Sequence, residues 1–264
     1  MTLTKKLLGA VGATALALAA AAPASAEDRE FNWSGSLTIV SDYIFRGISF
    51  TNEDPTLQGY LEFTYGIAYV GFWASGIGGD DAAFLGPWEV DYYAGIRPST
   101  GPVNWDFGVL YYTYGDRQNG ADFNDDADYV EFQILASTTV DKFTFGLKGY
   151  YTPDQEIAAP ETYTIEGTVA YALPAFTVSG AEWSPTLSGG VGYWGSEAND
   201  VYFGAGGGFF LGDDEITYWN AGLKITVERF FMDFRYWDTE VDANAGLETL
   251  ADERFLFSAG VTFP

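Results

Sequence analysis

The 264-residue chain contains no cysteine and no histidine. Without cysteine there is no disulfide framework, no thiolate metal site and no cysteine nucleophile. Without histidine there is no Ser-His-Asp or Cys-His catalysis and no imidazole ligand. Cations are scarce too: 12 Lys and Arg stand against 37 Asp and Glu, a net charge of −25. Such a chain cannot neutralise a phosphate backbone, so nucleic acid is excluded as a partner. Beyond the N-terminus no apolar run approaches the roughly 20 residues of a membrane-spanning helix. These absences leave no catalytic residue, no metal site and no cofactor to expect. What the chain does have is aromatic: 18% Phe, Trp and Tyr, with 32 Gly and 47% hydrophobic residues. That composition is too apolar for disorder.

Residues 1–26 read as a cleaved signal peptide. Lys5 and Lys6 form a basic start, residues 7–22 are apolar, and Ala24-Ser25-Ala26 fits a small-residue cleavage site. This leader carries two lysines and no acid, so the mature chain, residues 27–264, moves from −25 to −27. Exported chains of this kind are soluble outside the cytoplasm or form barrels in an outer membrane.

The mature chain alternates with period two. Trp88, Val90, Tyr92, Ala94 and Ile96 lie on one face of a strand, and Glu89, Asp91, Tyr93, Gly95 and Arg97 on the other. Segments of about ten such residues, separated by turn residues, are the signature of a transmembrane β-strand. Twelve are expected: 33–46, 56–66, 67–77, 88–97, 103–115, 128–138, 142–152, 162–172, 186–194, 214–227, 229–238 and 253–263. Short turns (65–67, 98–102, 139–141, 227–229) alternate with longer loops (47–55, 78–87, 116–127, 153–161, 195–213, 239–252), which places turns and loops on opposite sides of a membrane. The linker 173–185 breaks the rule, being long on the turn side. Single-chain bacterial barrels have an even strand number, so 195–213 reads as a loop, extended as a hairpin beyond the membrane. Splitting 173–185 keeps a fourteen-strand alternative open. The fold class is therefore all-β: a transmembrane antiparallel up-and-down barrel.

An aromatic girdle is expected near the loop ends, from Tyr43, Trp73, Tyr111, Tyr151, Tyr193 and Tyr236. The last strand alternates Phe255, Phe257, Ala259, Val261 and Phe263, which looks like a signal for the barrel-assembly machinery. Pro264 after the Phe departs from the usual pattern. With these residues in view, the chain resembles the TorF porin family of Gram-negative bacteria. The resemblance is carried by Val40-Ser41-Asp42-Tyr43-Ile44-Phe45-Arg46-Gly47-Ile48-Ser49 and by Pro55-Thr56-Leu57-Gln58-Gly59. It continues in Tyr69-Val70-Gly71-Phe72-Trp73-Ala74-Ser75, in Trp219-Asn220-Ala221-Gly222-Leu223 and in Asp233-Phe234-Arg235-Tyr236-Trp237-Asp238-Thr239. It implies an outer-membrane channel and carries over no catalytic or ligand residue.

The polar face of the strands would line a lumen. Its ionisable residues are Asp42, Arg46, Glu62, Glu89, Asp91, Arg97, Asp106, Glu131, Lys148, Glu166, Lys224, Asp233, Arg235 and Arg254. Eight acids and six bases leave this wall at about −2 and open to ion pairing, with the remaining charge in loops, turns and termini. A twelve-strand barrel falls between side-chain-filled eight-strand barrels and open sixteen-strand porins, so a narrow pore is expected. Acidic clusters lie at Asp80-Asp81, at Asp122 through Asp128 and at Asp213-Asp214-Glu215. The middle one lacks the glycine and distal glutamate of a calcium loop and reads as solvated charge. The glycine run 204–208 lacks a following Lys-Ser/Thr and a βαβ setting, so no nucleotide site is expected. Glu89 and Asp91 face the same way, but paired wall carboxylates are far commoner than catalytic pairs. The expectation is a non-enzymatic porin, weakly cation-selective for ions and small hydrophilic solutes. It sits among outer-membrane lipid and lipopolysaccharide, with no oligomeric state assigned. The alternative is a structural or adhesive barrel without an open pore.

Overall fold

The computed structural model describes residues 30–77, 87–115, 128–155, 161–196, 202–203, 209–210, 215–240 and 248–264. The leader at 1–26 lies outside them, as do most of the acidic loops. Alternating segments pair where the sequence places them, because each can bury its polar face only by facing inward from a closed wall. Among the described residues twelve strands form that wall: β1 (Phe31–Val40), β2 (Thr56–Tyr65), β3 (Ala68–Gly76), β4 (Trp88–Ile96), β5 (Val103–Tyr114), β6 (Tyr129–Val140), β7 (Phe143–Thr152), β8 (Thr162–Ala172), β9 (Ala181–Ser196), β10 (Glu215–Val227), β11 (Phe230–Glu240) and β12 (Arg254–Phe263). Strands consecutive in sequence pair antiparallel throughout the wall. The barrel closes where β1 meets β12, from Gly35 opposite Phe263 to Val40 opposite Ser258.

The fourteen-strand alternative fails for a local reason. Within the 173–185 linker, Phe176–Val178 does form a strand, but it folds back on Ala181–Trp183 of β9. β9 therefore starts five residues earlier than 186 and runs through Pro185. The ladder has a gap there: β8 pairing stops at Ala172 opposite Thr186, and pairing resumes at Phe176 opposite Trp183. The turn Ser179-Gly180, with φ of 51° and 87°, is a two-residue type I′ connection. Between β9 and β10, Tyr202–Phe203 pairs only with Phe209–Phe210, apart from the wall.

The outward face is apolar along every strand. Leu37, Ile39, Val70, Phe72, Phe107, Ile134, Leu147, Ile165, Val191 and Phe234 are all exposed. In a closed antiparallel barrel, a large apolar exterior is the surface lipid solvates, and the chain is an outer-membrane-type β-barrel protein. Aromatics mark both ends of the wall. Tyr92 and Tyr111 sit opposite each other towards the loops, as do Tyr151 and Tyr163, and Tyr236 and Phe255. Phe31 stacks on Phe63, and Phe143 packs on Tyr171, towards the turns.

Two of the six girdle residues expected from sequence are not on this surface. Tyr111, Tyr151, Tyr193 and Tyr236 point outward. Tyr43 is only 1% exposed and Trp73 packs against it inside the barrel, with ring centroids 5.3 Å apart. The cause lies in β1, which ends at Val40 rather than running to 46. Past Val40 the chain turns into the lumen. Trp73 shares its strand face with inward Tyr69, Gly71 and Ser75, so β3 points it inward.

Candidate functional site

Residues 41–55 fold into the barrel as a hairpin. Ile44–Phe45 pairs with Ile48–Ser49 across the turn Arg46-Gly47, whose φ values of 49° and 89° define a type I′ turn. Asp42 ties the base: its Oδ1 accepts from Ser49 Oγ (2.6 Å) and Thr51 Oγ1 (2.8 Å), and its Oδ2 from Arg254 Nη1 (2.9 Å). The backbone closes with Phe50 N donating to Tyr43 O at 2.7 Å. The sides of the hairpin are apolar and bury Tyr43, Ile44, Phe45, Ile48 and Phe50 against Tyr112, Tyr129, Trp194, Ile216, Tyr218 and Trp237 of the wall. Phe45 meets Tyr112 of β5 edge-on and Trp194 of β9 likewise, at 6.2 and 6.1 Å. Its turn is held from β11, where Thr239 Oγ1 donates to Gly47 O at 2.8 Å. One short hairpin thus touches strands on opposite sides of the lumen and occludes it at the loop end. The helical turn Glu248–Ala251 lies against it, with Leu250 and Ala251 in the same apolar cluster.

Arg46 at the hairpin tip is 2% exposed. Its Nη2 reaches Glu131 Oε2 at 2.6 Å, and the same carboxylate accepts from Tyr112 OH and Thr152 Oγ1, each at 3.0 Å. Its guanidinium also lies over the rings of Phe45, Tyr150 and Trp194, at 4.7, 5.0 and 5.4 Å. Beside it, Tyr43 OH donates to Glu89 Oε2 at 3.0 Å.

Below the hairpin the inward face is crosslinked. Arg97 grips Glu62 with two hydrogen bonds (2.6 and 2.9 Å) and reaches Asp106 with Nε at 2.8 Å. Asp106 also accepts from Tyr69 OH and Gln133 Nε2. Lys148 pairs with Glu166 at 2.7 Å, and Tyr218 OH donates to the other oxygen of that carboxylate. Arg235 holds Asp233, Asn220 and Ser188. Lys224 sits opposite Asp233 in the ladder, its Nζ 4.2 Å from the ring centre of Phe231.

All fourteen ionisable residues read from the sequence as wall residues thus lie inside the barrel. Two of them, Asp42 and Arg46, belong to the hairpin rather than to the wall, because β1 stops short of them. The sequence reading put Tyr93 on the polar face but missed how far aromatics crowd the interior: with it, Tyr69, Tyr112, Tyr129, Tyr150, Trp194, Tyr218 and Trp237 all point inward. It also missed how incompletely the occluded end is hydrogen-bonded. Arg46 Nε, Glu89 Oε1, Asp91 Oδ1, Tyr150 OH and Thr164 Oγ1 are buried without a hydrogen-bond partner. Each such atom costs about 1–3 kcal/mol relative to a hydrated or paired one.

A family model described as "Bacterial protein of unknown function (Gcw_chp)" matches residues 21–263. No curated protein matches the chain. Among solved structures it is similar to LpxR from Salmonella typhimurium, at 9% identity and a TM-score of 0.48, over 87% of this chain and 99% of that one. It is also similar to an outer-membrane channel from Pseudomonas putida F1, at 12% identity and 0.45, over 90% and 98%. A third likeness is to OmpF from Salmonella typhi, at 10% identity and 0.39, over 89% and 97%.

Proposed function

This chain belongs to the Gcw_chp family of bacterial proteins, and on that footing we propose that it is an outer-membrane channel for ions and small hydrophilic solutes, occluded in this state by its own hairpin. The observation that carries the reading is the interior below the hairpin, where Glu62, Arg97, Asp106, Lys148, Glu166, Lys224, Asp233 and Arg235 line the inner face of a closed barrel. A purely structural wall has no need of eight acids and six bases on its inner face, since apolar side chains of the same volume serve stability as well or better. The TorF resemblance points the same way. The preference is weakly for cations, because the interior charge nearly cancels while the exterior charge is strongly negative.

A second reading is favoured by the hairpin itself: a structural or adhesive barrel that never conducts. Purified protein in planar bilayers separates the two. The channel reading expects small, infrequent conductance steps with a reversal potential shifted towards cations. Folded protein that stays silent, both as the native chain and after removal of the hairpin tip, would establish the second reading.

A further inference from the structure

The hairpin is held and opposed by identifiable groups. Arg46 is a non-glycine residue in the left-handed region, with φ of 49°, a conformation that persists only where its surroundings impose it. What imposes it is the Glu131 carboxylate and, one residue on, the Thr239 hydrogen bond to Gly47 O.

The opposing group is on β4. Glu89 and Asp91 sit two residues apart on the inward face, 0% and 7% exposed, and Glu89 Oε1 and Asp91 Oδ1 are buried without a hydrogen-bond partner. Among the described residues no cation lies within 4 Å of either. The groups facing them are Tyr43 from the hairpin, Trp73 and Ser75 from β3, Tyr112 and Tyr114 from β5, and Tyr129 and Glu131 from β6. The nearby guanidinium, Arg46, is already bound to Glu131. Among the described residues the Glu89–Asp91 pair therefore has no cation of its own. Two carboxyl groups buried this way resist being ionised together while water is excluded.

We propose that residues 41–55 are a gate, latched shut by Arg46 on Glu131 and pushed open when Glu89 and Asp91 are both ionised. The inference rests on the channel reading. With one proton kept, the pair carries a single charge and Tyr43 OH donates to Glu89. Without that proton two like charges lie under an apolar cover, and admitting water and counter-ions relieves them. The closed lumen holds a proton that the hydrated lumen releases, so linkage requires rising pH to favour the open form. Opening also rehydrates Arg46, Glu131 and the orphaned atoms of Tyr150 and Thr164. The separated ions thus recover much of the solvation that the closed state denies them.

The test uses the full-length protein in planar bilayers, from about pH 5 to about pH 9. Native protein is expected to open about tenfold more often at the alkaline end. Glu131→Gln removes the latch acceptor and is expected to raise opening about tenfold at every pH. Glu89→Gln with Asp91→Asn replaces the spring by two amides that can pair, and is expected to hold the gate shut and flatten the pH response. A third variant needs no conformational change. Phe50 N donates to Tyr43 O, so the ends of the tip are adjacent and residues 44–49 can be replaced by Gly-Gly. That barrel is expected to conduct steadily at all pH values. If it conducts while native and Glu131→Gln proteins show the same pH-independent behaviour, the hairpin is a fixed constriction; the gate is refuted and the channel reading stands. If the tipless barrel is folded and silent, both fall.

Discussion

At the scale of single residues, the interior is decided by what each inward side chain meets. Arg97 serves two acids at once, and both are slightly more buried than it is. Removing a buried partner leaves uncompensated charge and costs about 3–5 kcal/mol. Arg97→Ala is therefore expected to lower the urea unfolding midpoint of the folded barrel sharply. Replacing Lys148 and Glu166 together by Met and Leu should lower it less, by about the 1–3 kcal/mol of the orphaned Tyr218 hydroxyl, because no lone charge remains. A larger effect from the double change than from Arg97→Ala would mean that the interior is not dry enough for this argument. Inward glycines follow the same logic of space. A Cβ added at Gly71 would lie 2.6 Å from the ring of Tyr93, and one at Gly108 would lie 2.5 Å from Tyr69 OH. At Gly192 it would run into the ring of Tyr218, which donates to Glu166. Gly192→Val is expected to cost about 1–3 kcal/mol by overpacking, again read from the unfolding midpoint. The sequence shows that the polar face is rich in glycine; that Gly71 and Gly192 make room for a ring on the neighbouring strand, and Gly108 for one two strands away, is visible only once the strands are in register.

At the scale of elements, strands with one lipid face and one interior face are legible, because a period of two leaves a pattern that no neighbour can hide. The expected and observed bounds of β2, β3 and β4 differ by a residue or so, for that reason. The hairpin was not legible. Yet its chain carries two signals: alternation stops after Val40, where Tyr43, Ile44 and Phe45 are apolar on both parities, and Arg46-Gly47 stands between Ile44-Phe45 and Ile48 as a two-residue turn would. Continuing β1 to 46 swallowed both. The same error moved Tyr43 to the lipid girdle. For the wall, the two faces of one strand give a paired prediction. Ile134, in the middle of β6, is 48% exposed, and its neighbour Gln133 points inward at 5%. Ile134→Arg places charge against lipid tails at a cost of about 2–4 kcal/mol, so assembly into membranes should fall. Gln133→Ala should assemble normally and disturb only the hydrogen bonds to Tyr69 and Asp106. Equal assembly of the two would contradict the inside and outside assigned to β6.

At the scale of the whole molecule, the closed sheet and the charge distribution act together. Both ends of the barrel wall carry aromatics, so only connection length tells them apart: the turn side is short and the other side long. An epitope at Ser99-Thr100 should label only in permeabilised cells, and one within 119–124 should label on intact cells. The reverse would invert the barrel. The charge distribution then sets selectivity. Inside, six cations face eight acids and most are paired, whereas the mature chain as a whole carries −27 if the leader is cleaved. The excess therefore sits at the mouths, where it raises the local cation concentration. Exposed charge of this kind acts over about 8–10 Å at 0.1–0.15 M salt and only about 3 Å at 1 M. The barrel lacking residues 44–49 removes the gate from this measurement. Its cation preference should be modest at 0.1 M and fade towards 1 M. Neutralising Asp122, Asp125, Asp126 and Asp128 together should lower the preference at low salt and leave the 1 M conductance nearly unchanged. Neutralising Glu62 and Asp106, which leaves Arg97 unpaired inside the lumen, should instead shift selectivity towards anions at every salt concentration, because a charge on the conduction path is not screened by the bath. An anion-selective parent, or a preference that ignores the loop changes, would show that the field is not set at the mouths.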